Sequence, residues 1–217
     1  MKDGIGFLGL LVFAVGIVVS FGWILDIPQL KSVLPGLVTM KANTAFAFIL
    51  IGLSLFLQKK ENPDKAELFI SRLSAFIAGL IGLLTLAEYA FGVNLGIDQM
   101  LVPEAAGAAH TVYLGRMSPN TALCFFLLAF ALIFLDYKTR LCTVLFQFAC
   151  VLSVLISANS LIGYLYGVVE FYGQIWLFTP MALHTTIVFI VAGGGFFSPV
   201  QIAGLSLCCL IGGLRGS

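Results

Sequence analysis

Charged side chains are scarce in this sequence, and their scarcity excludes a surface that faces water throughout. Asp, Glu, Lys and Arg make up 10% of the 217 residues, whereas soluble domains carry about 25%. Hydrophobic residues reach 60%, and the mean hydropathy is +1.09. Because so few charges cannot cover a water-exposed exterior, we expect the lipid bilayer to be the main partner of this chain.

Several classes of functional site are also missing from the sequence. The net charge is +1 with Lys and Arg scattered along the chain, which argues against nucleic acid as a partner. The five cysteines lie in apolar stretches and form no C-x-x-C pair, which predicts buried free thiols. We find no Ser-His-Asp set, P-loop or glycine-rich nucleotide loop, so we expect no enzymatic activity from this domain itself.

Long apolar runs account for most of the chain. A helix that crosses lipid needs about 20 apolar residues, because its backbone polar groups must be satisfied within the segment. Six runs reach or approach that length: 5–25, 43–57, 73–93, 120–135, 141–168 and 184–197. A seventh run at 200–214 is short, and we interpret it as a partial or interfacial segment. The sequence therefore predicts an all-α, polytopic membrane protein with six transmembrane helices.

The basic residues predict how these helices are oriented. Cytoplasmic loops are enriched in Lys and Arg. Seven basic residues fall on one predicted side: Lys2, Lys59, Lys60, Lys65, Arg72, Lys138 and Arg140. Three fall on the other side: Lys31, Lys41 and Arg116. This asymmetry predicts that the N-terminus and the end of the sixth helix are cytoplasmic.

One motif, M-x-x-[NH]-T-x-x-x-F, occurs three times. It begins at Met40, Met117 and Met181, at the start of the second, fourth and sixth predicted helices. Aromatic residues also recur at the outer ends of the other three helices, where Tyr89 aligns with Tyr164. We therefore predict a single domain, 1–197, of three helical hairpins at about 5–58, 69–135 and 141–197, followed by an apolar tail at 198–217. Packing around a pseudo-threefold axis is a further hypothesis.

The polar positions of the motif permit two interpretations. Asn and Thr at a helix start can accept hydrogen bonds from first-turn N–H groups, in which case the motif serves helix capping and hairpin packing. Alternatively, three positive helix ends could converge on an outer-side cleft that binds a small polar or amphipathic ligand. The candidate ligand-binding residues are Asn43, Thr44, Glu88, Tyr89, Asn120, Thr121, Tyr164, His184 and Thr185.

Two kinds of ionisable residue near the outer ends require separate attention. Glu88 near the end of the third predicted helix could belong to the ligand site or could simply reach interfacial water. His110 and His184 are the only histidines, and both map to the outer side, where haem or a metal between them is conceivable. We favour the absence of haem or metal, because His110 lies in a loop and no second-shell partner is evident.

Four segments of the sequence resemble those of a known kind of domain. They are E-Y-A-F-G-V-N-L-G-I-D-Q from Glu88, G-R-M-S-P-N-T-A-L-C from Gly115, G-Y-L-Y-G from Gly163 and M-A-L-H-T from Met181. Together they resemble the N-terminal integral-membrane domain of bacterial sensor histidine kinases and diguanylate cyclases, where it precedes PAS, GAF, kinase or cyclase modules. The resemblance implies a sensory or anchoring input module in the bacterial inner membrane. It implies no particular ligand.

The resemblance weakens after residue 197, where an apolar run replaces the expected charged exit into a cytoplasmic linker. This leaves open whether a signalling domain follows in the full-length protein. Two other functions compete with signal input. One is an accessory or structural subunit of a larger membrane complex, or a homo-oligomer. The other is a transporter or channel, which we disfavour because the predicted spans carry almost no charged residues at mid-membrane.

Overall fold

The described part of this chain is entirely helical. The computed structural model describes residues 2–34, 36–58, 63–105, 111–134, 140–167 and 180–195. Within them lie seven helices and no β-strand, which confirms the all-α prediction for these residues. The helices are α1 (Lys2–Ile24), α2 (Pro28–Lys31), α3 (Ala42–Leu57), α4 (Lys65–Phe91), α5 (Pro119–Phe134), α6 (Arg140–Tyr166) and α7 (Leu183–Gly195).

Three of the described helices are long and apolar enough to cross a membrane. Their qualifying segments are Gly6–Ile24 in α1, Lys65–Phe91 in α4 and Val144–Tyr166 in α6. This supports a membrane protein, but three is fewer than the six predicted. The other apolar helices, α3, α5 and α7, have 16, 16 and 13 residues. At 1.5 Å per residue they extend about 20–24 Å, less than the roughly 30 Å hydrocarbon core.

Each long helix packs against one short helix: α1 with α3, α4 with α5, and α6 with α7. Two glycines make the first two of these contacts close. A Cβ atom on Gly16 would lie 2.7 Å from the backbone oxygen of Ala45, and one on Gly82 would lie 2.5 Å from that of Ala122. Ala45 and Ala122 occupy the same position of the repeated motif. The first two repeats therefore share a backbone-to-helix contact as well as a sequence pattern.

The three pairs form a closed ring with the short helices inside. Beyond its own pair, α3 contacts α4, α5 contacts α6, and α7 contacts α1. At the centre, the rings of Phe48, Phe125 and Phe189 touch one another, with centroid distances of 4.8, 4.9 and 4.8 Å. Each is the final Phe of one motif copy, and all three are fully buried. Three equivalent residues of the three motif copies therefore meet at one point.

Some sequence predictions fall on residues outside the described ranges. They include the apolar tail at 198–217, His110, and the ends of the predicted helices at 135, 168 and 196–197. The three motif copies, at 40–48, 117–125 and 181–189, lie entirely within the described ranges.

Candidate functional site

The end at which each short helix begins, which the sequence predicts to be the outer end, is joined to the long helix by the same type of hydrogen bond in every pair. An aromatic side chain on the long helix donates to the backbone oxygen of the motif Met. The bonds run from Trp23 Nε1 to Met40 O at 2.8 Å, from Tyr89 Oη to Met117 O at 3.1 Å and from Tyr164 Oη to Met181 O at 2.7 Å. These groups hold the start of each short helix against its partner.

The motif threonines lie on the same side of their helices as the central phenylalanines. Thr44, Thr121 and Thr185 each precede the motif Phe by four residues, a spacing that places two side chains one turn apart on one helix face. All three threonines are buried. Three hydroxyl groups therefore lie about one helical turn outward from the phenylalanine cluster, near the axis.

In the second motif copy, the polar groups at the helix start bond to one another. Ser118 Oγ accepts a hydrogen bond from the Thr121 N–H at 3.0 Å, and the two hydroxyl groups are 2.7 Å apart. Asn120 is only partly buried and is already the second residue of α5. The side chain that caps α5 is thus Ser118, which the motif pattern did not single out.

In the first copy, the capping interpretation is wrong. Lys41 is the N-cap of α3, and no side chain in the described residues caps this end. Asn43 is the second helical residue and is 4% exposed. Its Oδ1 lies 3.5 Å from Thr44 Oγ1, while its Nδ2 has no hydrogen-bond partner within the described ranges. Asn43 therefore presents a buried amide donor that the surrounding described protein leaves unused.

The third copy leaves the most hydrogen-bonding capacity unused. Both ring nitrogens of His184 and the hydroxyl of Thr185 have no partner among the residues that the structure describes. Thr185 is 1% exposed, and His184 is partly buried. The neighbouring Thr186 instead bonds to Ala182 O at 3.1 Å. Because they occupy equivalent helix starts, we group Asn43 of α3 with His184 and Thr185 of α7 and call these three residues the outer polar cluster. Buried polar atoms without partners are costly, so each such group requires an explanation.

A second polar feature, the outer ion-pair network, covers the start of α5. Its centre is Arg116, whose Nε lies 2.7 Å from Asp98 Oδ2 and whose Nη2 lies 3.4 Å from Glu88 Oε1. The guanidinium also stacks 4.5 Å from the Tyr113 ring centroid. Glu88 is 0% exposed and accepts a hydrogen bond from Leu95 N at 2.7 Å. Of the two interpretations of Glu88, contact with interfacial water is therefore wrong.

The network includes a second buried ion pair, formed by residues far apart in sequence. Lys41 Nζ lies 2.6 Å from Glu104 Oε1, and both side chains are buried. Glu104 Oε2 accepts a hydrogen bond from Gly115 N at 2.7 Å, and Lys41 also donates to Thr111 Oγ1. Burial lowers the pKa of Lys41 from its ordinary value, and the adjacent Glu104 carboxylate only partly opposes that effect. The pair joins the start of α3 to the loop before α5.

The network carries three acids against two bases: Glu88, Asp98 and Glu104 against Lys41 and Arg116. Glu88 Oε2 and Asp98 Oδ1 are buried and lack partners within the described chain. The role of Glu88 that the structure shows is to anchor the loop through Arg116. Among the described residues, no observed hydrogen bond or ion pair joins Glu88 to a motif residue.

Neither a metal site nor a known relative accounts for these polar groups. Within the described residues, no three His, Cys, Asp or Glu side chains lie close enough together to hold a metal ion. The pairing of His110 with His184 remains untested, since His110 lies outside those residues. Comparisons with protein families, with curated proteins and with solved structures found no match to this chain. The site must therefore be interpreted from its own chemistry.

Proposed function

We propose that this chain is a non-catalytic signal-input domain of the bacterial inner membrane, in which the outer polar cluster binds a small ligand. One observation carries this proposal. Asn43 Nδ2, both His184 nitrogens and Thr185 Oγ1 find no partner among the described residues, although they are buried or partly buried at equivalent helix starts. A bound molecule would supply the missing hydrogen bonds and would remove the penalty of leaving them unmade.

The chemistry of the cluster favours a ligand with acceptor oxygens. Asn43 Nδ2 is a donor, His184 offers one donor and one acceptor when neutral, and the Thr185 hydroxyl offers both. The first-turn N–H groups of α3 and α7 add further donors, and the positive ends of the two helix dipoles favour partial negative charge. A carbonyl or carboxylate group on a small polar or amphipathic molecule meets these requirements.

The proposal includes six membrane crossings arranged as three hairpins, with the N-terminus and the end of α7 in the cytoplasm. The short helices can cross because they lie inside the ring, where non-helical backbone at their ends is covered by protein rather than by lipid. Lys41 and Arg116, two of the three basic residues assigned to the outer side, are held in buried ion pairs.

A transporter or channel is less consistent with the centre of the ring. Phe48, Phe125 and Phe189 are in mutual contact on the axis, and contact at this distance leaves no opening between them. An accessory subunit of a larger complex is the second candidate. The apolar side chains that project outward from α1, α4 and α6 would suit helices of a partner as well as lipid.

A chimera tests the input function. The chain is fused through residue 197 to a cytoplasmic diguanylate cyclase module, and cyclase output is measured in cells and in liposomes. Substitution of His184 and Asn43 by Ala is expected to change the output several-fold, because these residues form the receiving site. Leu165→Ala is the matched control, since this side chain is 74% exposed on α6. Its output should equal that of the parent chimera.

The outcomes separate the two candidates. If the folded His184 and Asn43 variants give the same output as the parent under every condition, the input function is rejected. If the chain instead co-purifies in fixed ratio with a larger membrane complex and the chimera is inert, the accessory-subunit function replaces it.

A further inference from the structure

The outer ion-pair network contains two acidic side chains that lie against each other. Glu88, in the last turn of α4, and Asp98, in the loop that follows, both contact the Arg116 guanidinium. The Glu88 carboxyl group also lies within hydrogen-bonding reach of the Asp98 carboxyl group. Glu88 is 0% exposed, and Asp98 is 6% exposed. Two acidic groups therefore share one positive charge in a place that solvent hardly reaches.

One oxygen of each carboxyl group lacks a hydrogen bond. Glu88 Oε1 accepts the bond from Leu95 N, and Asp98 Oδ2 accepts the bond from Arg116 Nε. Glu88 Oε2 and Asp98 Oδ1 are buried and have no partner in the residues that the structure describes. An ionised carboxylate can only accept hydrogen bonds, so two ionised groups in contact cannot bond to each other. A proton on one group would supply the donor that the other group lacks.

The charges at this contact favour the addition of one proton. If both acids are ionised, their two negative charges and the single positive charge of Arg116 leave a net charge of −1. Burial disfavours that charge, and two carboxylates at one site repel each other. The other cation of the network, Lys41, is paired with Glu104. One added proton would make the buried group neutral.

The other titratable groups around the two acids do not neutralise them. The helices that pack against α4, which are α3 and α5, contain no charged residue. Tyr89 and Tyr113 present their rings to the Arg116 guanidinium, whose central carbon lies 5.2 and 4.5 Å from the two ring centroids. The Cys124 thiol of α5 points to Ser153 O of α6 at 3.8 Å. Among the described groups, the charge of the site is therefore set by the two acids and this guanidinium.

We propose that Glu88 and Asp98 form a binding site for one proton, which they share at neutral pH. The proton comes from water and adds to an oxygen of one carboxylate, and the resulting O–H donates a hydrogen bond to the other. A metal ion suits the site less well, because oxygen-binding cations such as Ca²⁺ take about 6–8 ligands and a guanidinium already lies 2.7 Å from Asp98. The site does not depend on the ligand proposed for the outer polar cluster.

Infrared spectroscopy of the purified full chain in detergent tests the site, because a protonated carboxyl group and a carboxylate absorb at different frequencies. At pH 7 the wild type should show a band from a buried protonated carboxyl group. E88Q and D98N should each lose this band, because the remaining acid stays ionised beside Arg116 and the new amide N–H replaces the shared proton as donor. D26N is the matched control and should keep the band, since the Asp26 side chain is 90% exposed.

The dependence of stability on pH gives a second measurement. Free Asp and Glu ionise near pH 4, so the unfolded chain releases the proton that the folded pair retains at neutral pH. A folded state that binds one more proton loses stability as the pH rises. Relative to E88Q, the folding equilibrium constant of the wild type should therefore fall about tenfold per pH unit above pH 5, until the folded pair itself ionises. The histidines are common to both chains, so their effects cancel.

Three results would overturn the site: no protonated-carboxyl band in the wild type at pH 7, an unchanged band in both E88Q and D98N, or the same pH dependence of folding in the wild type and E88Q. A metal ion at the site would give the first result, together with a rise in the unfolding temperature of the wild type on addition of NaCl or CaCl2 that E88Q lacks. If neither variant folds, the wild type decides the matter. Its band must then vanish over the same pH range in which its stability falls, and a band that persists beyond that range would reject the proposal.

Discussion

The start of α5 and the start of α7 carry the same motif but differ in how their polar groups are satisfied. At α5, Ser118 and Thr121 bond to each other, and Arg116 anchors the preceding loop. At α7, the His184 ring and the Thr185 hydroxyl have no partner in the described residues. Ala182 replaces Ser118 at the capping position. The comparison separates two roles within one motif.

All three motif copies share a packing role, whereas the hydrogen bonds of their polar residues differ from copy to copy. The motif Met and Phe make equivalent contacts in all three copies, through the aromatic-to-carbonyl bonds and the central ring contacts. The Asn or His and the Thr do not. In the second copy, the polar side chains at the helix start are therefore bonded to each other. The first and third copies instead retain hydrogen-bonding groups without described partners, which a ligand would need. The following predictions test this division.

Removal of the anchor of the second copy should have the largest effect on stability. Arg116→Met leaves the buried Asp98 and Glu88 carboxylates without their counter-charge. Breaking one side of a buried ion pair costs roughly 3–5 kcal/mol. The free energy of unfolding in detergent is the measurement. Lys31→Met is the control, because its partner Asp26 is exposed and such pairs contribute about 0–1 kcal/mol. Similar losses in both variants would contradict the structural role of the network.

The packing role should be equal in all three copies. Phe48→Ala, Phe125→Ala and Phe189→Ala each remove a buried ring from the axis and should each lower the free energy of unfolding by about 3–4 kcal/mol. Phe148→Ala, at an exposed position of α6, should lower it far less. A loss confined to Phe125 would show that the second copy alone is structural, and the proposed separation of roles would fail.

The packing contacts of the motif Met and Phe could be predicted from the sequence, because these residues recur three times at the same spacing. Alignment of Tyr89 with Tyr164, and the recurrence of aromatic residues at the outer ends of the long helices, indicated the type of position that donates to the Met carbonyls. The final Phe of each motif met its two counterparts as a threefold arrangement requires. These contacts are local or symmetric, so a pattern read three times is sufficient to expect them.

The polar half could not be predicted in the same way. Helix boundaries are uncertain by one or two residues in sequence, which is enough to transfer the capping role from Asn120 to Ser118. The ion pair of Lys41 with Glu104 joins residues 63 positions apart, and nothing in the sequence near either residue specifies the other. Glu88 was recognised as a candidate, but its burial and its bond to Arg116 depend on how the outer loop folds back.

Capping should distinguish the second copy from the first by about 1 kcal/mol. Ser118→Ala removes the acceptor of the Thr121 N–H and should lower the free energy of unfolding by about 1 kcal/mol. Asn43→Ala removes a side chain that caps nothing in the described residues and whose buried amide donor has no described partner, so the free energy of unfolding should fall less than it does in Ser118→Ala. The two variants are compared by thermal or chemical unfolding in the same detergent. A loss on Asn43→Ala as large as that on Ser118→Ala would restore the capping interpretation for α3.

The smallest change in the free energy of unfolding is expected for a substitution in the third copy. This substitution also tests the ligand site most directly. Thr185→Val replaces a hydroxyl that has no described partner by a methyl group of similar size, so the free energy of unfolding should be unchanged or slightly raised. Thr121→Val is the matched control. It occupies the same motif position but loses its bond to Ser118, so it should be less stable than the parent by about 1 kcal/mol. Equal losses would mean that Thr185 has a structural partner. A stable Thr185→Val chain with altered output in the cyclase chimera would instead assign that hydroxyl to the ligand, since a group that does not stabilise the fold can then be explained only by what it binds.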